Sequence, residues 1–129
     1  MNRRLAAILL ALFAALAFAQ EGHPLSGTWH GEWTSASGQK SRIVMALKWD
    51  TKNVVGILNP GRRSAPFKEV ILDPEKWTVD FEADAKDDAG KPVHVIADGK
   101  LENIGSYNRT ITGTWMQGDA KGDFKITRD

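Results

Sequence analysis

The residues best suited to acid–base or metal chemistry are three histidines, and their spacing does not bring them together. His23, His30 and His94 show neither the H-x-H nor the H-E-x-x-H spacing of common metal sites. A metal site needs three or four converging ligands. His30 and Glu32 stand two residues apart and would share a strand face, where such a pair is usually a solvated surface contact. The sequence therefore predicts no metal ion.

The sequence also lacks the pattern of a nucleophilic catalytic centre. It contains no cysteine and no Gly-x-Ser-x-Gly, and none of the histidines is expected on an inward face. Asp84, Asp87 and Asp88 lie near a turn without the oxygen ladder, glycine and distal glutamate of a calcium loop. The Gly-rich segment 118–122 does not match the P-loop pattern. We therefore expect a protein that is not an enzyme and has no cofactor.

The remaining candidate for a site is the apolar and aromatic set of side chains expected inside the fold. The chain has five Trp and five Phe. An eight-stranded barrel encloses a space that side chains fill or that holds one small ligand. The residues expected to line that space are Trp33, Met45, Leu47, Trp49, Val55, Ile57, Trp77, Phe81, Val95 and Trp115. The sequence leaves open whether they form a packed core or a narrow apolar pocket.

These residues lie on short alternating runs that predict β-strands. No segment after residue 20 has helical patterning over ten or more residues. The clearest alternation places Trp77, Val79 and Phe81 on one face and Thr78 and Asp80 on the other. Short Gly-, Pro- and Asp-rich turns separate the runs, so consecutive strands should pair antiparallel. The predicted strands are 26–34, 39–49, 53–58, 66–72, 76–86, 91–102, 109–116 and 122–128.

Eight such strands with one apolar face form either a two-sheet sandwich or a closed barrel. Closure removes the exposed strand edges that otherwise promote aggregation. Gly31, Gly56, Gly99 and Gly113 lie inside the predicted strands, where glycine usually marks strong coiling or a close backbone approach. The pattern favours an all-β fold, an eight-stranded antiparallel up-and-down β-barrel.

The two ends of this barrel sequence resemble the calycin superfamily, which includes lipocalins, fatty-acid-binding proteins and avidins. The resemblance rests on Gly27-x-Trp29 in the first predicted strand and Arg128 at the end of the last. It implies that Trp29 closes one barrel end and that the basic residue packs across its ring. Gly27, Trp29 and Arg128 are then structural closure residues. The chain is also similar to small exported bacterial proteins with a lipocalin-like domain.

The N-terminus predicts export. Arg3 and Arg4 precede an apolar stretch over 5–18, and Ala17-Phe18-Ala19 gives a small-x-small cleavage pattern. We expect a signal peptide over 1–19 and a single domain over 20–129, located in the periplasm or outside the cell, without a membrane anchor. Loss of the two arginines leaves 15 basic against 16 acidic residues. This near-neutral charge gives no reason to expect nucleic acid or an anionic membrane as partner.

Two functions follow from these expectations. The first is an exported, non-catalytic lipocalin-like barrel that binds or carries a small apolar molecule. The alternative is a barrel with a filled interior that acts as a structural or protein-interaction module. The sequence identifies neither the ligand nor the oligomeric state.

Overall fold

The computed structural model describes residues 23–61, 64–87 and 89–129, which form one closed antiparallel β-barrel. The predicted signal peptide, residues 1–19, lies outside the described residues. Within them, no helix is long and apolar enough to cross a bilayer. The strands are β1 (Gly27–Ser35), β2 (Lys40–Trp49), β3 (Val54–Leu58), β4 (Ala65–Asp73), β5 (Thr78–Lys86), β6 (Pro92–Glu102), β7 (Thr110–Gln117) and β8 (Ala120–Arg128).

Each strand pairs with the next along the chain, and β8 returns to pair with β1. That closing ladder runs from the pair Trp29↔Arg128 to the pair Ser35↔Gly122. The predicted closed, eight-stranded, all-β barrel is confirmed, and every predicted strand matches its observed bounds within two residues. Alternation and turn chemistry were sufficient to locate the strands because one face of each is consistently apolar.

Two strand glycines show why the wall can coil tightly enough to close. A Cβ on Gly31 would collide with the carbonyl oxygen of Lys125 on β8. A Cβ on Gly113 of β7 would collide with the carbonyl oxygen of Asp98 on β6. Neighbouring backbones therefore approach too closely for any side chain at these two positions.

The interior is filled by apolar side chains. No polar or charged residue is buried among the described residues, and no buried side-chain nitrogen or oxygen there lacks a partner. Such a core depends on close packing, and the indole N–H groups of Trp29 and Trp115 are both hydrogen-bonded. The buried residues are Leu25, Trp29, Trp33, Ile43, Met45, Leu47, Val54, Leu58, Ala65, Val70, Val79, Phe81, Ala83, Val95, Ala97, Leu101, Ile111, Trp115, Phe124 and Ile126.

The barrel has two distinct ends. The N-terminal end carries the start of β1, the end of β8 and the connections β2–β3, β4–β5 and β6–β7. The opposite end carries the other four hairpin connections. The segment before β1 crosses the N-terminal end, where Leu25 is fully buried and its carbonyl accepts a hydrogen bond from Trp29 Nε1 at 2.9 Å. This segment therefore plugs part of that end.

The wall is least complete between β3 and β4. These strands pair only at Ile57↔Pro66 and Leu58↔Ala65, near the opposite end. Beyond Pro66 the β4 register shifts at a bulge between Phe67 and Glu69, and the rest of β4 pairs with β5 alone. Proline cannot donate a ladder hydrogen bond, and a bulge bends its strand away from the partner. We call this incomplete stretch, 54–56 on β3 and 67–72 on β4, the seam.

Candidate functional site

The residues predicted to line the interior separate into a packed centre and two ends. Met45, Leu47, Phe81 and Val95 are buried in the central core. Trp33 and Trp115 lie at the opposite end, where β1 and β7 finish. Trp49 and Trp77 lie at the N-terminal end and are only partly buried. The structure therefore does not gather these eight predicted residues into one cavity.

Two further expected interior residues face outward. Ile57 is 42% exposed and Val55 is half-buried, whereas Val54 and Leu58 are buried. The expectation for Val55 and Ile57 was wrong because the run Val-Val-Gly-Ile-Leu is apolar on both faces. Alternation cannot choose a face in such a strand.

A largely apolar depression at the N-terminal end lies along the seam, and we call it the seam pocket. Its volume is about 450 Å³. Val54, Val70 and Leu72 supply aliphatic walls from the two incompletely paired strands, while Lys52 and Asn53 place polar groups at the rim. The complete lining is His23, Pro24, Trp49, Lys52, Asn53, Val54, Val70, Ile71, Leu72, Pro74 and Trp77.

Trp77 reaches this pocket from a turn rather than from a strand. Predicted as part of a strand over 76–86, it precedes β5 and has a φ of 56°. Its N–H donates to the carbonyl of Asp73 at 2.7 Å, and its own carbonyl accepts from the N–H of Leu101 at 2.8 Å. A left-handed backbone is unusual for a bulky residue and costs roughly 1–3 kcal/mol. The surrounding hydrogen bonds hold the indole at the pocket in spite of that cost.

Trp49 is covered on one face by His23. The two ring centroids lie 4.7 Å apart with an interplanar angle of 9°. The N–H of Leu25 donates to His23 Nδ1 at 3.2 Å, so Nδ1 is the unprotonated nitrogen. Burial, and secondarily the nearby positive charge of Arg109, lower the pKa of His23. No sequence pattern indicates this contact, because His23 lies outside any periodic run.

The tryptophans at the opposite end are sealed against each other. Trp33 and Trp115 stack with centroids 6.3 Å apart, and Phe124 packs against Trp115 at 5.6 Å. Trp33 is 7% exposed and Trp115 only 1% exposed. Two depressions adjoin Trp33: one of about 310 Å³ has a mainly polar rim that includes Arg42 and Asn59, and one of about 690 Å³ lies among the hairpin connections of this end. This end therefore offers little aromatic surface to a ligand.

The residues predicted to close the barrel meet at the N-terminal end. Arg128 lies opposite Trp29 in the β1–β8 ladder, and a Cβ on Gly27 would touch the aliphatic part of Arg128 at 3.1 Å. The guanidinium lies over the ring of Tyr107, 5.7 Å from its centroid, rather than in a cation–π contact with Trp29. It donates to the carbonyls of Ser26 at 3.4 Å and Tyr107 at 3.2 Å. Arg128 thus ties the segment before β1 to the β6–β7 connection.

The other two histidines belong to surface networks. His30 Nδ1 lies 2.6 Å from a carboxylate oxygen of Asp129. His94 contacts Asp84 at 2.8 Å and Glu82 at 3.4 Å. The hydrogen bond from His94, followed by that from Lys68, lowers the pKa of Asp84. No group of three or more His, Cys, Asp or Glu residues within the described ranges has the arrangement of a metal site.

A carboxyl pair stands on the outer face of β5 and β6. Asp80 lies directly opposite Asp98 in the ladder. A hydrogen bond between the two carboxyls raises the pKa of Asp80, and burial and the negative charges of Asp98 and Glu69 add to the effect. The pair therefore tends to share a proton as the pH falls.

Comparison with known proteins supports the barrel and goes no further. No protein-family model and no curated protein matches the chain. Among solved structures, a redesigned β-barrel matches with a TM-score of 0.56 and 17% sequence identity, over 85% of this chain and 95% of that protein. At this identity the likeness shows the fold alone.

Proposed function

We propose that the protein is an exported, non-catalytic, lipocalin-like β-barrel that binds a small apolar molecule in the seam pocket. The observation that supports this is the seam pocket itself, where partly exposed Trp49 and Trp77 stand beside aliphatic walls at an incomplete part of the barrel. Its volume of about 450 Å³ lies within the usual range for small-molecule sites. Partly exposed aromatic surface of this kind commonly marks a binding site.

The packed centre argues against a ligand held deep inside the barrel. Met45, Phe81 and Val95 are almost completely buried there, so a central ligand would have to displace them. Close-packed interiors resist such changes, because added volume forces side chains out of their preferred rotamers. A ligand in the seam pocket would leave these core side chains in place.

The pocket lining indicates the chemistry of the ligand. Apolar and aromatic walls favour an apolar body, and the two indoles favour a planar one that can stack. Lys52 and Asn53 at the rim would hydrogen-bond a polar end group. We infer a largely apolar molecule with at most one polar end.

Export and family relationship belong to the same proposal. The sequence of residues 1–19 supports secretion. The meeting of Trp29 with Arg128 where the barrel closes supports the calycin resemblance, although the guanidinium covers Tyr107 instead of the indole.

Binding of N-phenyl-1-naphthylamine, an uncharged dye that fluoresces in apolar sites, tests the proposal. Wild-type protein should bind the dye saturably and quench tryptophan emission. Trp77→Ala should weaken binding by about tenfold, because a stacked aromatic contributes about 0.5–1.5 kcal/mol beyond its buried area. Trp33→Ala, which alters the sealed opposite end, should leave the dye affinity of the folded protein unchanged.

A second pair of variants separates binding from folding. Ile71 lines the pocket and is 47% exposed, whereas Ile57 is 42% exposed on the outer wall and does not line it. Ile71→Ser should reduce dye affinity severalfold, and Ile57→Ser should not. No saturable binding by wild-type protein, or equal effects of the two serine variants, would refute the seam site and favour the filled-barrel alternative.

A further inference from the structure

The segment before β1 covers the seam pocket with an ionisable ring. His23 lies against Trp49 at 4.7 Å and almost parallel to it, so one face of the indole is occupied. The same imidazole lines the pocket together with Trp77. A planar ligand can stack on that face of Trp49 only after the histidine ring has left it.

The cover is held by a hydrogen bond that requires neutral His23. The N–H of Leu25 donates to Nδ1 of His23 at 3.2 Å. Protonation places a hydrogen on Nδ1, and the ring then has two donors and no acceptor. The bond to Leu25 is lost, and two N–H groups face each other.

The charges around His23 also oppose its protonation. Arg109 acts on it electrostatically and donates to the carbonyl of the adjacent Pro24 at 3.2 Å. Lys52, on the β2–β3 connection, lines the same pocket. In the described part of the chain, no carboxylate lies within 4.0 Å of the His23 nitrogens, unlike those of His30 and His94. Among the residues that the structure describes, a positive imidazole therefore meets Arg109 and Lys52 without a carboxylate in ion-pair contact.

We infer that His23 is a proton-sensitive cover of the seam pocket, which shields Trp49 when neutral and leaves it when protonated. This inference rests on the proposed function for its biological meaning, since it describes regulation of the same site. It implies that the apolar ligand binds more tightly in acid than at neutral pH. Binding and proton uptake are then linked, so each favours the other.

The sign of the effect follows from the covered state. Burial first, and Arg109 second, lower the pKa of His23 in that state. The covered state is therefore fully stabilised at a pH above the ordinary pKa of histidine. That stabilisation is lost as the pH falls through the lowered pKa of His23 in the covered state. The apparent affinity of a ligand that needs the uncovered state should rise by up to about tenfold per pH unit through that range.

Dye titrations at about pH 8 and about pH 5, which bracket ordinary histidine titration, test the inference. The protein should carry its own N-terminal segment, and N-phenyl-1-naphthylamine is suitable because it stays uncharged at both values. Wild-type protein should bind severalfold more tightly at the lower pH. His23→Ala should bind tightly at both, and His23→Phe, which has a ring but neither a titratable group nor an acceptor for the Leu25 N–H, should show an affinity that does not change between the two pH values. His94→Ala should behave like wild type.

An NMR titration tests, without any ligand, whether His23 leaves the Trp49 ring when it is protonated. The carbon-bound ring protons of His23 should show an upfield shift from the Trp49 ring current at pH 8 and lose it at pH 5. A shift that persists at pH 5, or pH dependence of dye binding that survives in His23→Phe, would overturn the inference. If the ring protons respond as expected while no dye binds at either pH, the cover stands and the proposed function fails.

Discussion

A pair of tryptophans lies at each end of the barrel, but the pair is buried at one end and partly exposed at the other. At the opposite end Trp33 and Trp115 pack on each other and are almost completely buried. At the N-terminal end Trp49 and Trp77 remain partly exposed around the seam pocket. The difference lies in the wall, because β1, β7 and β8 are fully paired beside the first two residues, whereas β3 and β4 separate beside the second two.

This contrast shows that two features determine whether an aromatic side chain is buried in the core or exposed in a pocket. One is whether the side chain points inward, and the other is whether the neighbouring strands are paired. A continuous ladder holds neighbouring strands about 4.8 Å apart, which leaves interior side chains no access to solvent. Where the ladder stops, an inward-pointing side chain is exposed to solvent through the gap between the two strands. A chain can therefore combine a packed core with a pocket and needs no central cavity.

The largest expected difference between the ends is in stability. Trp115→Ala should reduce the free energy of unfolding by about 3–5 kcal/mol, since it removes a fully buried aromatic. Trp77→Ala should cost much less, because its indole is partly exposed and alanine tolerates the turn no worse than tryptophan. Urea denaturation followed by circular dichroism measures both values. Similar losses for the two variants would contradict the distinction between sealed and open ends.

A smaller effect is expected at the tie that holds the N-terminal end together. Arg128→Ala should reduce the free energy of unfolding by about 1–2 kcal/mol, through loss of the contact with the Tyr107 ring and of two donated hydrogen bonds. Thermal unfolding provides the measurement. Tyr107→Ala removes the ring but not the backbone carbonyls, so it should show only part of the loss. An Arg128→Ala variant as stable as wild type would mean that β1–β8 pairing alone closes this end.

The sequence predicted the barrel better than the site, for a physical reason. Strand positions follow from alternation, which Val79, Phe81 and Ala83 display clearly, and each such strand carries its own signal. The seam depends instead on the relation between two strands. Pro66 is visible in the sequence, but its consequence depends on the bulge that follows it and on how short β3 is.

The contact between His23 and Trp49 was equally inaccessible from the sequence. The antiparallel β1–β2 hairpin returns Trp49 to the end of the barrel where His23 lies, but no sequence pattern shows that the segment before β1 folds over the Trp49 ring. Trp77 was expected on a strand face because its apolar type fits the alternation of 79, 81 and 83. Its left-handed backbone instead places it in the turn at the pocket.

The smallest expected effect concerns the outer face beside the seam and separates surface charge from the pocket. Asp80 lies opposite Ile71 on β4 and Asp98 on β6. Its raised pKa means that the folded chain holds this proton more tightly than the unfolded chain. That contribution to stability is complete below the pKa of Asp80 in the unfolded chain and is lost as pH rises through its pKa in the folded chain. The ionised pair is therefore unfavourable at neutral pH.

Asp80→Asn should therefore stabilise the fold at about pH 7, by less than about 1 kcal/mol because water screens exposed charges. Near pH 3 the gain should vanish, since the carboxyl it replaces is then largely protonated. Thermal unfolding at the two pH values measures the difference, and Asp123→Asn on the outer face of β8 is the matched control. Dye binding should be unchanged, because the Asp80 carboxyl does not line the seam pocket. A change in dye affinity would show that the outer charges of β5 and β6 control how far the seam opens, and the two ends would then differ by electrostatics as well as by strand pairing.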